Sequence, residues 1–538
     1  MSTGQNPKWI LPRAFLRNCR SHRRQVRLLD STGASMTGSA MLLRALIFRK
    51  LLLRCVLEQD ERFVGLLLPP AAGSVLANVA LPLTGRVAVN LNYTVSSEIL
   101  NSCIRQCGIR HILTSKRFMQ RFEHLQLDAE LVYLEDLVAE VCAGDKIVAA
   151  MQAYVLPLPM LERTLGLDKI RPDDVLTVLF TSGSTGEPKG VMLSHRNVAS
   201  NVYAINDSVN LTTDDVAIGV LPFFHSYGYT ATMWTMLALP PAAIYHFNPL
   251  EPKVVGDLCR KHRVSIFMAT PTFLRTYLRR CQPEDFRTLD LVFASAEKMP
   301  RELADAFTAK FDVEPQEAYG ATEMSPLIAV NVPTSRSSDR TRPTSREGSV
   351  GRPIPGLEVK VIDPDTGQQL SSEEPGMIWV RGAGVMAGYL NQPEQTANVV
   401  QDGWYKTGDI GYVDRDGFLF ITGRLSRFSK IGGEMVPHIK IEETIARVLG
   451  AETDELQAVV TALPDSKRGE RLVVLHTPMD RSPQEICRSL AETDLPKLWI
   501  PSADSFFSVA EIPVLGSGKL DLRAIRELAE EQTMATAG

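Results

Sequence analysis

Short apolar runs alternate with amphipathic stretches along most of this chain, a pattern that predicts an α/β fold with a largely parallel sheet. Residues 41–57 are apolar with Arg44, Arg49, Lys50 and Arg54 interspersed, which predicts a helix. Strands are expected at 63–68, 86–91 and 112–114, and a helix at 74–83. Further strands are expected at 175–180, 264–268, 289–294 and 317–319. The pattern changes at 348–417, where short alternations at 359–362 and 377–380 lie between Gly and Pro turns; this predicts a small β-rich subdomain. Residues 417–424 read as another strand and turn, 439–448 as a helix, and the last hundred residues as a small α/β domain. The Ser, Thr, Arg and Pro of 336–346 predict a mobile surface loop.

One long stretch departs from this pattern. From 216 to 250 there is no Asp, Glu, Lys or Arg. Pro and Gly interrupt the run too often for a membrane span, so a buried helix flanked by strands is expected. Aromatic and methionine side chains interleaved with Gly228, Ala231 and Ala238 also suit the wall of an apolar tunnel. His225 stands in its Phe-Phe-His-Ser turn, and a core histidine and a tunnel-facing one are equally compatible with that position.

At 538 residues the chain exceeds one typical core, so two or more domains are expected. A net charge of -4 argues against a general nucleic-acid binder. Eight cysteines are scattered singly, which suits free thiols in a reducing, cytoplasmic compartment. No segment makes a convincing transmembrane helix, and the amino terminus lacks the clean apolar core of a signal peptide. Residues 1–30 do carry seven Lys or Arg and no acid before Asp30, with Phe15, Leu16, Cys19 and Val26 roughly on one helical face. A membrane-surface helix, an organellar transit peptide and a first helix lying on the domain with a solvated basic face all fit. The first leaves peripheral membrane association open.

The candidate chemistry begins directly after the 175–180 strand, at Thr181-Ser182-Gly183-Ser184-Thr185-Gly186-Glu187-Pro188-Lys189-Gly190. Glycines let backbone N–H groups turn toward one point, hydroxyls add donors, and Lys189 supplies a mobile positive charge, a combination suited to polyphosphate. The spacing is not that of a P-loop: counted from Gly183, Pro188 takes the second glycine's place and Gly190 stands where a magnesium-binding hydroxyl belongs. Ser194-His195-Arg196-Asn197 is suited to opening a helix. Downstream, Tyr319-Gly320-Ala321-Thr322-Glu323 places a hydroxyl and a carboxylate after a glycine turn, groups a hard cation such as Mg2+ accepts. Thr407-Gly408-Asp409 is open to two readings, an Asx-type turn or a carboxylate for the two hydroxyls of a ribose. Gly516-Ser517-Gly518-Lys519 is a loop tipped with lysine.

These segments, with Gly423-Arg424, occur in the order and at separations similar to those of the acyl-adenylate-forming superfamily of acyl-CoA synthetases, adenylation domains and luciferases. Within it, 85–93 and 427–436 most resemble the acyl-[acyl-carrier-protein] synthetase domain of 2-acylglycerophosphoethanolamine acyltransferase. That branch carries an acyltransferase domain ahead of the synthetase, for which this chain leaves no room, so the synthetase half alone is expected.

The resemblance implies a large N-terminal domain, 1–424, of layered α/β subdomains plus the β-rich subdomain, and a small mobile C-terminal α+β domain, 425–538. It implies ATP and Mg2+, a fatty acid, and transfer of the acyl group to the thiol of holo acyl carrier protein or CoA. The loop with Thr181, Ser182, Gly183, Ser184, Thr185, Gly186 and Lys189 would hold the β- and γ-phosphates. Thr181 and Glu323 would hold Mg2+. Tyr319 and the Ser295-Ala296-Glu297 turn would flank adenine, and Asp409 with Arg424 would hold the ribose. Ala318, Gly320, Thr322, Ile421 and Lys430 complete the implied nucleotide contacts. Lys519 would bridge the carboxylate and the α-phosphate, His225 would sit by the acyl group, and Gly432 and Gly433 would border the pantetheine channel.

Three places depart from the family pattern, one being the acidic turn Ser295-Ala296-Glu297-Lys298, which replaces the Gly-Gly-Ala-Pro-like turn of many relatives. Ser426 stands where relatives often carry a hinge Asp or Lys, and Lys440 where many carry an acid. Arg427, Lys430, Lys467 and Arg468 are open to two readings, ordinary solvated surface charge or a basic patch for an acidic carrier. An amino acid substrate is disfavoured because 216–250 offers no acid for its ammonium group. A fatty acyl-AMP ligase without CoA transfer and a non-catalytic nucleotide-binding paralogue remain as alternatives.

Overall fold

The computed structural model describes residues 9–181, 187–339, 341–431, 434–450, 457–465, 469–514 and 520–537. The apolar run before the glycine-rich loop is the strand Val175–Thr181 of a seven-stranded sheet. That sheet runs in the order Gly388–Tyr389, Lys189–Ser194, Val175–Thr181, Val87–Asn90, Phe63–Leu66, His111–Thr114 and Glu130–Tyr133. The last five pair in parallel, while Lys189–Ser194 runs antiparallel to both its neighbours. Val87–Asn90 is buried at every position, as a strand covered on both faces must be; Val87, Ala88 and Val89 are apolar, and Asn90 is satisfied by the Asn78 side chain.

A nine-stranded sheet carries Pro315–Gly320, Leu291–Ala294, Ile266–Ala269, Val216–Gly219 and Ala242–Tyr245 in parallel at its centre, with antiparallel strands at both edges. Leu357–Ile362, Gly376–Gly382, Trp404–Val413 and Leu419–Arg424 build an antiparallel sheet, the expected β-rich subdomain. A fourth sheet contains only strands from the last part of the chain, Phe428–Ile431 onward, and packs against the helices His438–Leu449 and Pro483–Ala491 through its own apolar cluster. The molecule is therefore α/β, with a large N-terminal domain and a smaller C-terminal one.

The helix expected in the basic N-terminal stretch is Leu11–Ser21, and it lies on the domain: Leu11, Phe15, Leu16 and Cys19 are buried in the main core. Three other expectations need correction. Val26, expected on the same face, lies instead on the strand Val26–Asp30 and is 44% exposed. The segment read as a mobile loop is pinned at Arg336, whose largely buried guanidinium meets Asp215 at 2.9 Å and Asp290 at 3.4 Å. Polar composition concealed that anchor, because the partners lie far off in sequence. Arg427 is no surface cation: it is 6% exposed and pairs with Glu442. Lys467 and Arg468, and the side chain of Lys430, lie outside the described residues.

Candidate active site

Thr181 ends its strand and pairs across the hairpin with Lys189, so loop 182–188 joins two antiparallel strands. Ser182, Gly183, Ser184, Thr185 and Gly186 lie outside the described residues. The helix expected to follow does begin at His195, capped by a reciprocal pair between Ser194 and Asn197. The whole strand Lys189–Ser194 intervenes, about 20 Å at the usual rise of a strand. The N-terminus of that helix therefore stands a strand's length from Lys189.

Thr181 and Lys189 face a cavity of about 490 Å3. Its walls are reached from the carboxyl ends of strands: Ser295 and Ala296 after Leu291–Ala294, and Gly320, Thr322 and Glu323 after Pro315–Gly320. Ligands of open α/β sheets gather at this end. Ala318, Lys406, Thr407, Gly408 and Arg424 close another side. His225 lines the cavity and is not a core histidine; its Nδ1 accepts the Tyr227 N–H at 3.3 Å. The turn that presents it is packed tightly, since a Cβ at Gly228 would sit 2.1 Å from the Pro222 carbonyl oxygen. Tyr227–Trp234 then winds as a π-helix, a form frequent at functional sites.

Much of the cavity lining is apolar. Ile205, Val209 and Leu211 come from the end of the His195–Ser208 helix and beyond it. Ala231 and Met236 come from the charge-free stretch, and Ile266, Met268 and Phe293 from the nine-stranded sheet. The charge-free stretch thus supplies both the buried helix and a tunnel wall.

Asp409 is not in a turn. It lies within the strand Trp404–Val413, directly opposite Arg424. The register slips at this point, and Gly408 takes φ +75°, a conformation that glycine adopts without strain. The bulge looked like a turn in sequence because glycine marks both. It holds Asp409 at 3% exposure, with Oδ1 on the Arg424 Nε at 2.7 Å and Oδ2 accepting the Tyr319 hydroxyl. The Asp409 charge holds the Arg424 pKa above its ordinary value, and burial, then Asp409, pushes the Tyr319 phenol well up. Both stay protonated, and a carboxylate retains acceptor capacity beyond two bonds.

Four residues of the expected site with described side chains are not in the cavity lining: Tyr319 and Asp409, held with Arg424 as described, and Glu297 and Ile421. Glu297 turns away and accepts the Thr272 N–H at 3.2 Å and hydroxyl at 2.7 Å, tying down the helix Pro271–Arg280. Ile421 packs in the apolar cluster of the antiparallel sheet. Gly432, Gly433 and Lys519 lie outside the described residues. Tyr389 escaped the sequence reading altogether. Its hydroxyl donates to Glu323 Oε1 at 2.8 Å, and its ring lies 5.4 Å from the Lys189 ammonium. Burial and then the Glu323 charge raise its pKa, so it remains a donor. It sits in a two-residue strand without local pattern, and only pairing with Val191 brings it here.

Among the described residues no cluster of three or more His, Cys, Asp or Glu could hold a metal ion, and no helix is long and apolar enough to cross a membrane. Thr181 and Glu323 do face one cavity, so a hard cation there would draw its remaining oxygens from a phosphate and water.

Residues 15–390 match the profile of a family described as AMP-binding enzyme. Among curated proteins, 4-coumarate--CoA ligase 1 of Arabidopsis thaliana is 30% identical over 482 residues, covering 86% of this chain and 82% of that protein. A long-chain-fatty-acid--CoA ligase of Bacillus subtilis is 32% identical over 390 residues, covering 69% of this chain and 64% of that protein. Among solved structures, ATP-bound MatB from Rhodopseudomonas palustris superposes with a TM-score of 0.78 at 23% identity, over 97% of this chain and 99% of that one. The o-succinylbenzoate coenzyme A synthetase MenE from Bacillus subtilis, in complex with AMP, superposes with a TM-score of 0.76 at 24% identity, over 95% of this chain and 97% of that one. At such identities the structural likeness speaks for the fold.

Proposed function

The chain belongs to the AMP-binding enzyme family, and from that premise we propose that it joins an apolar carboxylic acid, a medium- or long-chain fatty acid, to a thiol through an acyl-adenylate. The observation that carries this reading is a single cavity lined both by Lys189, Thr181 and Glu323 and by a set of uncharged, mostly apolar side chains. The acid's carboxylate attacks the α-phosphorus of ATP, forming acyl-AMP and releasing pyrophosphate; a thiol then displaces AMP. The first step crowds negative charge, so positioned cations and donors carry most of its acceleration. Lys189 steadies the departing pyrophosphate, Asp409 and Arg424 hold the ribose, and Lys519 comes from the small domain to the reacting carboxylate. Thr181 and Glu323 would hold Mg2+, which would neutralise phosphate charge when bound.

The domain boundary belongs to the same proposal. Arg424 ends the antiparallel sheet, Leu425–Arg427 is a short turn, and Phe428–Ile431 opens the last sheet, so 425–427, with Ser426, is the pivot. The Lys298–Glu443 ion pair at 2.6 Å joins the large body to helix His438–Leu449 and would break on rotation. CoA is the acceptor that the named relatives favour. Holo acyl carrier protein is the alternative favoured by segments 85–93 and 427–436.

Purified enzyme given ATP, Mg2+ and C8–C18 acids, with CoA and holo carrier in parallel, tests both halves. Acid-dependent pyrophosphate release with hydroxylamine-trappable acyl-AMP is expected, followed by thioester with CoA. Lys519→Ala should lower the first step by at least about a hundredfold, the usual scale for losing one transition-state contact of ~3 kcal/mol. Nucleotide binding without turnover would instead indicate a regulatory paralogue, and acyl-AMP that no thiol consumes would indicate an acyl-AMP ligase.

A further inference from the structure

We propose that the outward face of the helix at 143–155 is a lipid-docking surface that seats this enzyme on an anionic bilayer. The helix comprises Ala143–Ala150 and a π-helical continuation, Met151–Val155. Its amphipathicity is reversed. Ala149 and Ala153, each 1% exposed, face the main core, while Ile147 is 61%, Met151 59%, Tyr154 54% and Val155 74% exposed. Ile147, Met151 and Val155 recur every four residues and share one side through the α-helix and its π-helical continuation, with Tyr154 and the 40% exposed Val148 flanking them. An isolated exposed aliphatic residue is ordinary, but a stripe of four large ones is not.

The charges near the helix are mostly basic, with the exposed Glu140 just before it as the exception. Asp145, the one acid on the helix, is buried between Lys50 at 3.2 Å and Arg54 at 3.1 Å. Lys146 is exposed beside Ile147. Arg20, at the end of helix Leu11–Ser21, reaches the carbonyls of Gln152 at 2.9 Å and Leu156 at 2.8 Å, and Arg23 and Arg24 follow it, exposed. The N-terminal basic stretch therefore does adjoin an apolar surface, but the apolar residues come from a different element. Large apolar side chains with a cationic rim match the boundary between headgroups and acyl chains of an anionic membrane.

A bilayer fits better than a second copy of the chain. Stable protein interfaces engage roughly 20–30 residues a side, whereas this is one convex helix whose exposed side chains offer few directional polar groups. Its place is also informative: helix Leu11–Ser21 connects it, through the Asn18 amide on the carbonyls of Leu237 and Leu239, to the segment whose Thr235 and Met236 line the cavity. The proposal does not depend on which acid is activated.

Co-sedimentation of the full chain with vesicles of phosphatidylcholine, alone or with phosphatidylglycerol, tests it. Binding is expected to the anionic vesicles and to weaken with added salt. Ile147→Ser/Met151→Ser/Val155→Ser should reduce the bound fraction at least about tenfold, since each lost insertion forfeits apolar burial. Val155→Asp should act in the same direction, and unchanged unfolding temperatures would show that both variants fold. The proposal is overturned if the parent chain ignores anionic vesicles or if folded variants bind them as well as the parent does. A dimer in sedimentation velocity that the serine substitutions dissolve would assign the stripe to a second copy and overturn it as well.

Discussion

The Tyr389 hydroxyl donates to Glu323 Oε1 at 2.8 Å while the same ring stands 5.4 Å from the Lys189 ammonium. One aromatic side chain thus fixes the distance between the cation and the carboxylate proposed to share the ATP polyphosphate and its metal. Tyr389→Phe keeps the ring and removes the bond. A hydrogen bond to a charged group is worth about 1.5–3 kcal/mol, so kcat/KM for adenylation should fall roughly tenfold to a hundredfold. The Mg2+ concentration for half-maximal rate should rise, and a loss of stability alone would leave that dependence unmoved.

Asp409 holds Arg424 and Tyr319 at once. Asp409→Asn keeps the shape and loses the charge that both donors address. The KM for ATP should rise by about tenfold or more on the same energy scale. The KM for the acid, measured at saturating ATP, should change little.

Ala231 contributes to the apolar lining from the π-helix, between Tyr227 and Thr235. Ala231→Leu adds three carbons to that wall. If acyl chains occupy it, kcat/KM for C16 acids should fall at least about tenfold relative to C8 acids, since overpacking a close-fitting wall typically costs 1–3 kcal/mol. A uniform loss across chain lengths would place the acyl chain elsewhere.

Burial pushes the Glu317 carboxyl up to about 7, against the Met299 N–H and Lys298, which pull it down. Its folded pKa exceeds the unfolded one, so between about 4.5 and 7 the native state binds the extra proton. Glu317 therefore removes stability as pH rises through that window and adds no slope above it. Glu317→Gln should flatten this part of the stability profile and raise the unfolding temperature at pH 8, measured by calorimetry.

The strands that carry the site were legible because they are buried on both faces and read as apolar runs: Val175–Thr181 and Leu291–Ala294 fall within a few residues of expectation. The order of Thr181, Glu323 and Asp409 along the chain was legible too, since each stands within three residues of a glycine-marked irregularity: Thr181 just before Gly183, Glu323 after Gly320 and Asp409 after Gly408. Local patterning could not reveal partners made by pairing across the fold. Tyr389 reaches Lys189 through an edge strand of two residues, and Arg336 reaches Asp215 from a stretch with loop composition. Glu297 shows the converse: its carboxylate looked free for a ligand until the Pro271–Arg280 helix claimed it. The 143–155 helix was missed because alanines facing inward leave no ordinary amphipathic signature.

Arg424 is the last residue of its strand, and the turn Leu425–Arg427 begins immediately after it. On the proposed reading, the ribose contacts would belong to the stationary side of the pivot. A swing of the small domain would exchange the groups that face the cavity and leave the Asp409–Arg424 pair in place. An acyl-adenylate would then stay tethered between the two half-reactions.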